Sequence, residues 1–306
     1  MNTHATKIGF LTLVLGLVLA GCGKDATPGT NGSSDDKDIP SVSIGECQTA
    51  QGSQTPAEPK GVDFKTQLKQ PGVLNVGSDN AYPPFEEIKP GATEPEGFDV
   101  DLYTEVAKRL GLTPKSTTTD FDALFTTSVP NGTFDIGVSA ITIKEERKQT
   151  VDFTVPYFEA DLSLAVNAQT TPDIKTIDDL TDKTIGAQKG TTGEDCANFL
   201  VKEGKAKEVK SYGDAQAAFL DLSNGRIAAV VNDRPASQGF IEKDEDLEVV
   251  QIIETKEQYG FAISKDKPDL RVAINEQLEA IMKDGTYATI YEKWFGTKPP
   301  FDVPLS

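Results

Sequence analysis

The residue types that most often carry catalysis or bind metal ions are scarce in this sequence. The chain has 306 residues, of which one is histidine and three are cysteine. His4 lies in an amino-terminal segment that we expect to be removed, so histidine-based catalysis and histidine-rich metal sites are effectively excluded. We therefore predict no metal site and no cofactor.

The first of the cysteines, Cys22, follows a short apolar run. Residues 8–19 are apolar and follow a segment with one positive charge, Lys7. A run of this length is too short for a membrane-spanning helix, which needs about 20 residues, and it is typical of a secretory signal. The next residues, Leu19-Ala20-Gly21-Cys22, resemble the bacterial lipobox, in which cleavage precedes an acylated cysteine.

We therefore predict a signal peptide over residues 1–21 and a lipid on Cys22. An ordinary signal peptide with an incidental cysteine is the less favoured alternative. The predicted location is the outer face of the cell membrane, or the periplasm if the host has an outer membrane.

The two remaining cysteines, Cys47 and Cys196, have two possible states. Outside the cytoplasm they can form a disulfide, which would attach the amino-terminal tail to a predicted helix. They can also remain separate thiols. Both alternatives stay open, because the sequence does not reveal the geometry that a disulfide requires.

The charge balance excludes several classes of partner. The chain has 48 acidic and 30 basic side chains, a formal net charge of −18. This excess argues against binding to nucleic acid, which requires a cationic surface, and against charge-driven docking on anionic lipid. With 37% apolar and 25% charged residues, the composition is typical of a globular protein, and the length suggests about two domains.

The elements that must position any site begin at about residue 73. Residues 23–60 are rich in Gly, Ser, Thr, Pro, Asp and Gln without apolar periodicity, and we interpret them as a flexible tether. Beyond them, strands are predicted at 73–78, 134–139, 162–166, 184–188, 209–212, 227–232, 247–253 and 259–264. Helices are predicted after Asp99 and Asp120, from Thr142 by its capping-box spacing, and at 194–203, 214–224, 270–283 and 287–295. The alternation indicates an α/β fold with mainly parallel sheets.

Seven short motifs occur in order along this part of the chain. They are Tyr82-Pro83-Pro84-Phe85, Gly97-Phe98-Asp99-Val100-Asp101-Leu102, Ile141-Thr142-Ile143-Lys144-Glu145-Glu146-Arg147, Val151-Asp152-Phe153-Thr154, Lys189-Gly190-Thr191-Thr192-Gly193, Asp284-Gly285-Thr286-Tyr287 and Tyr291-Glu292-Lys293-Trp294-Phe295-Gly296. Together they resemble the family 3 extracellular solute-binding proteins, the polar amino-acid-binding proteins of ABC importers. The resemblance runs from about residue 73 to residue 296.

The resemblance implies a two-lobed, type II periplasmic-binding-protein-like fold. Two Rossmann-like lobes would be joined by two hinge crossovers, near 157–161 and 255–258. Lobe one would comprise 61–156 plus 259–306, lobe two 162–257, and the tether 22–60. An amino acid would bind in the cleft, over which the lobes would close by hinge bending.

The resemblance also assigns residues to the ligand's α-carboxylate and α-ammonium groups. Arg147 would bind the carboxylate with its planar guanidinium, aided by Thr142 and by the backbone amides of Thr191 and Thr192. Asp233 would bind the ammonium, together with the carbonyl groups of Ser139 and Ala140. Alternatives remain: Arg147 could be a solvated residue, Thr142 a helix cap, and Asp233 the cap of a helix that starts at Pro235.

The remaining predicted contacts concern the ligand's side chain. Tyr82 and Phe121 correspond to aromatic residues that enclose it in relatives, although either could belong to the core. Asp79 and Gln188 match positions near its distal end, where a carboxylate and an amide favour a polar or cationic group. Asp79 could instead stabilise the turn at Tyr82.

The resemblance thus predicts a monomeric, non-enzymatic receptor that delivers an amino acid to an ABC permease. One alternative is an enzyme on the same fold, such as a cyclohexadienyl dehydratase. Another is the ligand-sensing component of a receptor.

Overall fold

The computed structural model of the chain describes residues 39–48 and 58–301. The predicted signal peptide, Cys22 and much of the predicted tether lie outside these residues. Within the described residues, no helix is long and apolar enough to cross a membrane.

One half of the molecule, here lobe one, is built on a five-stranded sheet. The strand order is β5-β2-β6-β13-β7, and a two-stranded hairpin, β3-β4, accompanies it. Parallel pairs join β2 to β5 and to β6, whereas β13 runs antiparallel to β6 and β7. The strands are β2 Val73–Ser78, β3 Ala81–Tyr82, β4 Glu86–Glu87, β5 Thr113–Thr118, β6 Ile136–Gly137, β7 Val151–Phe153 and β13 Ala262–Ser264.

The other half, lobe two, is built on a six-stranded sheet with the order β1-β12-β8-β11-β9-β10. Both sheets are mixed, so the prediction of mainly parallel sheets is only partly right. The antiparallel pairs arise where β8 and β12 pass between the lobes and where β13 returns to lobe one. The strands are β1 Ser41–Val42, β8 Phe158–Asn167, β9 Thr184–Gln188, β10 Glu208–Tyr212, β11 Ala229–Asp233 and β12 Leu247–Tyr259.

Two antiparallel strands, β8 and β12, connect the lobes. Tyr259 pairs with Phe158 and Glu257 with Ala160, and a bulge interrupts the pairing between Ile253 and Glu257. The backbone amides of the bulge donate to Asp161 Oδ1. Paired crossover strands of this kind form the two connections of a two-lobed fold, although the predicted limits of the lobes and hinges stay a prediction.

The helices cover the sheets and end near the predicted residues. Their limits are α1 Phe98–Arg109, α2 Phe121–Ala123, α3 Thr192–Lys202, α4 Ala215–Ser223, α5 Arg234–Ile241, α6 Pro268–Lys283 and α7 Thr286–Phe295. Local sequence explains the starts of α3 and α4, since Thr191 accepts a hydrogen bond from the Glu194 amide and Asp214 accepts one from the Ala217 amide.

Three local predictions are wrong. Asp99 lies inside α1 and is fully buried, so it does not cap the helix. No helix begins at Thr142, which forms a bridge to Tyr259 instead. The strand predicted at 134–139 is reduced to Ile136–Gly137, and the chain beyond it bends at Ser139 and Ala140, where Ala140 has a positive φ of 45°.

The amino-terminal segment 39–48 is part of lobe two, which contradicts the prediction of a tether without structure over these residues. Ser41 and Val42 pair in parallel with Ile252 and Ile253. Cys47 is bonded to Cys196 of α3, with 4.6 Å between the two Cα atoms. Of the two alternatives for these cysteines, the structure has the disulfide.

Candidate functional site

A cavity lies between the two lobes and is lined by residues of both. Lobe one contributes seven of its lining residues and lobe two contributes four. All eleven residues that the sequence predicted for the site line it: Asp79, Tyr82, Phe121, Ser139, Ala140, Thr142, Arg147, Gln188, Thr191, Thr192 and Asp233. The structure therefore brings the predicted residues together, while their contacts with a ligand stay a prediction.

Arg147 is buried, with 4% of its surface exposed, so its interpretation as a solvated residue is wrong. Its guanidinium carbon lies 4.3 Å from the centre of the Phe125 ring and 5.3 Å from that of Phe121. The guanidinium donates to the Thr142 carbonyl (2.8 Å) and, across the cleft, to the Gly190 carbonyl (2.9 Å). These contacts fix the cation against two aromatic faces, a geometry that favours its charged state.

The amino-terminal end of α3 faces Arg147 from lobe two. The Thr191 hydroxyl accepts from the Glu194 amide (3.0 Å) and donates to the Gln188 carbonyl (2.7 Å), so this side chain is a helix cap. The side chain of Thr192, the first helical residue, is turned instead to another group of the cleft, Glu257. Because a helix amino terminus carries partial positive charge, this end and Arg147 together favour an anion.

Asp233 is the principal acid of the site in lobe two. It ends β11 and precedes α5, but its side chain makes no capping hydrogen bond, which excludes the capping alternative. Its Oδ2 accepts from the Tyr82 hydroxyl at 2.8 Å, a bond between the lobes. Burial raises the pKa of Asp233, while hydroxyl hydrogen bonds and Arg147 oppose the rise. The result is a buried acceptor suited to a cationic group.

Asp79 and Gln188 form a second contact between the lobes. The Gln188 Nε2 atom donates to Asp79 Oδ2 at 2.8 Å. Burial raises the pKa of Asp79 to about 6; the Gln188 bond opposes this rise, and the negative charges of Asp214 and Asp120 add to it. The charged groups that act on Asp79 are thus acids, and a cation nearby would stabilise its ionised form.

The Ser139–Ala140 turn rests on two buried acids that the sequence analysis did not assign to the site. The Ser139 hydroxyl donates to Glu86, and the Ala140 amide donates to Asp99 Oδ2 at 2.8 Å. Burial raises the pKa of Asp99 to about 7 and that of Glu86 well above its usual value. Asp99 lies in a quoted motif and Glu86 directly follows another, but each has a second acid within two residues, Asp101 and Glu87, so the sequence alone does not show which of them is buried.

Sequence reasoning also missed Glu257. This residue of β12 is 1% exposed and accepts from the hydroxyls of Thr142 (2.6 Å) and Thr192 (2.9 Å). Its neighbours 254–258 are mostly polar, a pattern typical of an exposed segment. The bulge before Glu257 breaks the simple alternation of the strand, so no pattern in the sequence indicated that this side chain is buried.

The lobes are in direct contact around the cavity. Lys189 pairs with Asp122 at 2.7 Å, and Lys243 pairs with Glu87. Gly239 of α5 lies so close to the Pro83 carbonyl that an added Cβ would be 2.6 Å from that oxygen. The structure is therefore of the closed arrangement, and a residue larger than glycine at 239 would require the lobes to separate.

The fold and the site agree with what the chain matches among known proteins. Residues 74–297 match the bacterial extracellular solute-binding proteins, family 3. Because the match covers most of the chain, this protein belongs to that family.

Particular relatives include two proteins of Escherichia coli strain K12. The L-cystine-binding protein TcyJ is 32% identical over 231 residues, which cover 75% of this chain and 85% of the relative. The ABC transporter arginine-binding protein 1 is 34% identical over 228 residues, which cover 72% and 90%. Among solved structures, an ancestral arginine-binding protein bound to arginine is 36% identical with a TM-score of 0.69, covering 74% of this chain and 99% of the other.

Proposed function

We propose that this protein is the extracytoplasmic substrate-binding component of an ABC importer and that it captures an amino acid between its lobes. The observation that carries the proposal is the presence of a buried cation, Arg147, and a buried acid, Asp233, in one closed cavity with walls from both lobes. A buried charge is costly without a partner of opposite sign. A zwitterion supplies both partners at once.

The two charged α-groups of the ligand would bind to different residues of the cavity. The α-carboxylate would accept from Arg147 and from the amino-terminal end of α3, and the α-ammonium would donate to Asp233 and to carbonyl groups of the Ser139–Ala140 turn. Since the donors belong to both lobes, the ligand would stabilise the closed arrangement over the open one. A permease that recognises the closed form would then receive the loaded protein.

We further propose that the ligand's side chain is cationic. Asp79 is buried at the cavity, and the charged groups that act on it, Asp120 and Asp214, are acids. A guanidinium or ammonium group beside Asp79 would offset this negative potential. The names of the arginine-binding relatives support this proposal, and the cystine-binding relative supports the broader class of polar amino acids.

The same proposal includes lipid attachment at Cys22, a monomeric state and the absence of enzymatic activity. Mass spectrometry of the purified mature protein would detect the lipid. Incubation with prephenate or arogenate should give no turnover, whereas product formation would favour the dehydratase alternative.

The test of the function is isothermal titration calorimetry with the twenty amino acids, ornithine and cystine. We expect at least one tight ligand, with arginine or lysine among the tightest. Arg147→Ala should weaken binding by about 2–5 kcal/mol, because the carboxylate would lose its main partner.

Arg226→Ala is the matched control for that variant. The Arg226 side chain is 62% exposed and pairs with Asp221 outside the cleft, so its removal should leave affinity unchanged. If none of the amino acids binds, the assignment is wrong.

A further inference from the structure

Glu257 joins two hydroxyl groups that belong to different lobes. Thr142 Oγ1, from lobe one, and Thr192 Oγ1, from lobe two, both donate to the same oxygen, Oε2, at 2.6 and 2.9 Å. Among the described residues, the other carboxylate oxygen, Oε1, has no hydrogen-bond partner although it is buried. The crossover strand therefore brings an incompletely paired acid behind two residues that line the cavity.

The hydrogen atoms of this arrangement can be counted. A threonine hydroxyl has one hydrogen to donate and lone pairs with which to accept. While both hydroxyls donate to an ionised Glu257, they present only lone pairs to the cavity. A ligand carboxylate also has only lone pairs, so it would meet two acceptors in front of a second negative charge.

Protonation of Glu257 removes both the lack of a hydrogen-bond donor and the repulsion by a second negative charge. The protonated carboxyl group can donate its hydrogen to the oxygen of one threonine. That threonine can then turn its own hydrogen towards the cavity and donate it to the ligand. The proton comes from solvent, no covalent bond other than O–H is made, and the negative charge behind the hydroxyls disappears.

We propose that Glu257 is a positioning residue that takes up one proton when the ligand's carboxylate binds and thereby directs a threonine hydroxyl towards that carboxylate. The inference rests on the proposed function, because it requires an anionic group beside Arg147.

The charged and titratable groups around Glu257 support this behaviour. Burial raises the pKa of Glu257 to about 8; Asp233 adds to the rise, whereas the two threonine hydroxyls and Arg147 oppose it. Tyr82 and Tyr259 are the other titratable groups that act together with Glu257, and burial raises the pKa of each hydroxyl well above 10. The tyrosines therefore stay neutral, and Glu257 titrates near pH 8.

Uptake of this proton makes the affinity for the ligand depend on pH. A bound carboxylate raises the pKa of Glu257 further. At pH values between the pKa of the ligand-free protein and that of the complex, binding is therefore accompanied by proton uptake. The affinity is therefore highest at pH values below the pKa of Glu257 in the ligand-free protein. It falls as pH rises through that pKa, by at most about tenfold per pH unit.

The test is calorimetry of wild-type protein with arginine at pH 8.5, in phosphate and in Tris, which differ in ionisation enthalpy. The ligand's amino group contributes to proton uptake in every variant, so the informative quantity is the difference between variants. Wild-type protein should take up about 0.5 to 0.75 proton more than Glu257→Gln, whose amide permanently imitates the protonated acid. Glu257→Gln should also keep its affinity between pH 7 and 9 better than wild-type protein does.

Glu254→Gln is the matched control, since it makes the same change on the same strand at a residue that accepts from Ser41 rather than from Thr142 or Thr192. It should behave as wild type. Thr142→Val and Thr192→Val give a second, isosteric probe, and each should lower the proton uptake. Thermal melts of all variants establish that they are folded.

Equal proton uptake by wild-type protein and Glu257→Gln would overturn the inference while leaving the proposed function intact. Loss of arginine binding by a folded Glu257→Gln would also overturn it. Failure of wild-type protein to bind any amino acid would overturn both proposals together.

Discussion

Around Arg147 and Asp233 the cavity contains charges of both signs, whereas around Asp79 and Gln188 it contains only negative ones. The first group, which we name the charge cluster, consists of Arg147, Asp233 and Glu257, and each member acts on the others electrostatically. The second, the polar pair, consists of Asp79 and Gln188, with the acids Asp120 and Asp214 acting on Asp79.

This difference separates general recognition from selectivity. Within the charge cluster, Arg147 and Asp233 match groups that every α-amino acid has, so loss of either should weaken all ligands alike. The polar pair has an excess of negative charge, so its loss should act on one class of side chain. Substitutions in the two groups should therefore have different effects on different ligands.

Asp233→Asn should reduce affinity for every amino acid ligand by about 2–4 kcal/mol, because the α-ammonium would lose its charged acceptor. The amide retains the size of the side chain and can still accept from Tyr82. Calorimetry with arginine and with citrulline, its neutral analogue, would show similar losses for the two ligands. A loss confined to arginine would contradict the division, and the exposed Asp173→Asn serves as the control.

Asp79→Asn should reduce affinity for arginine by about tenfold and leave that for citrulline nearly unchanged, as expected for loss of one charge pair. In wild-type protein the preference for arginine should also depend on pH. The pKa of Asp79 is raised to about 6, so the acid is charged above this pH and attracts a cation. As pH falls through about 6, the arginine-to-citrulline affinity ratio should decline.

Titrations of both ligands from pH 8 to pH 5 measure that ratio. Because the two ligands share their α-groups, effects of Glu257 on the α-carboxylate cancel in it. In Asp79→Asn the ratio should be flat, and a ratio that still declines would assign the effect to another group.

Gln188→Ala should have the smallest effect, about fivefold on arginine, because the loss of one hydrogen bond from the ligand's side chain to the uncharged amide costs about 1 kcal/mol. The same change removes the bond that lowers the pKa of Asp79. The midpoint of the pH-dependent preference should therefore move upwards, which the same two-ligand titration would detect. Gln169→Ala, at an exposed position, should change neither quantity.

Part of the site could be predicted from the sequence because five of its residues, Tyr82, Thr142, Arg147, Thr191 and Thr192, lie in the quoted motifs, and Ser139, Ala140 and Gln188 directly precede two of them. Strands such as Val73–Ser78 and Thr184–Gln188 have the predicted limits, since their short apolar runs are bounded by polar or turn residues. The eleven cavity residues follow from the family resemblance together with these elements.

The remaining features depend on contacts between distant segments. Ser41 and Val42 form a strand only because the edge of β12 is available to them, and no local propensity indicates such pairing. Glu257 is buried by the approach of two lobes, although its sequence neighbours are polar. Asp99 resembles a helix cap from its neighbours, but it lies inside the helix and accepts from Ala140 and Tyr157 of other elements.

The bond between Cys47 and Cys196, which are separated by 149 residues in sequence, closes a covalent ring. The ring contains the first part of lobe one and the first crossover strand, β8. A single peptide-bond cleavage anywhere inside the ring therefore opens it without dividing the chain, and every fragment stays attached. After one such cleavage a piece is released only if the disulfide is also reduced, so this protein can lose one peptide bond in β8 and remain a single covalent molecule.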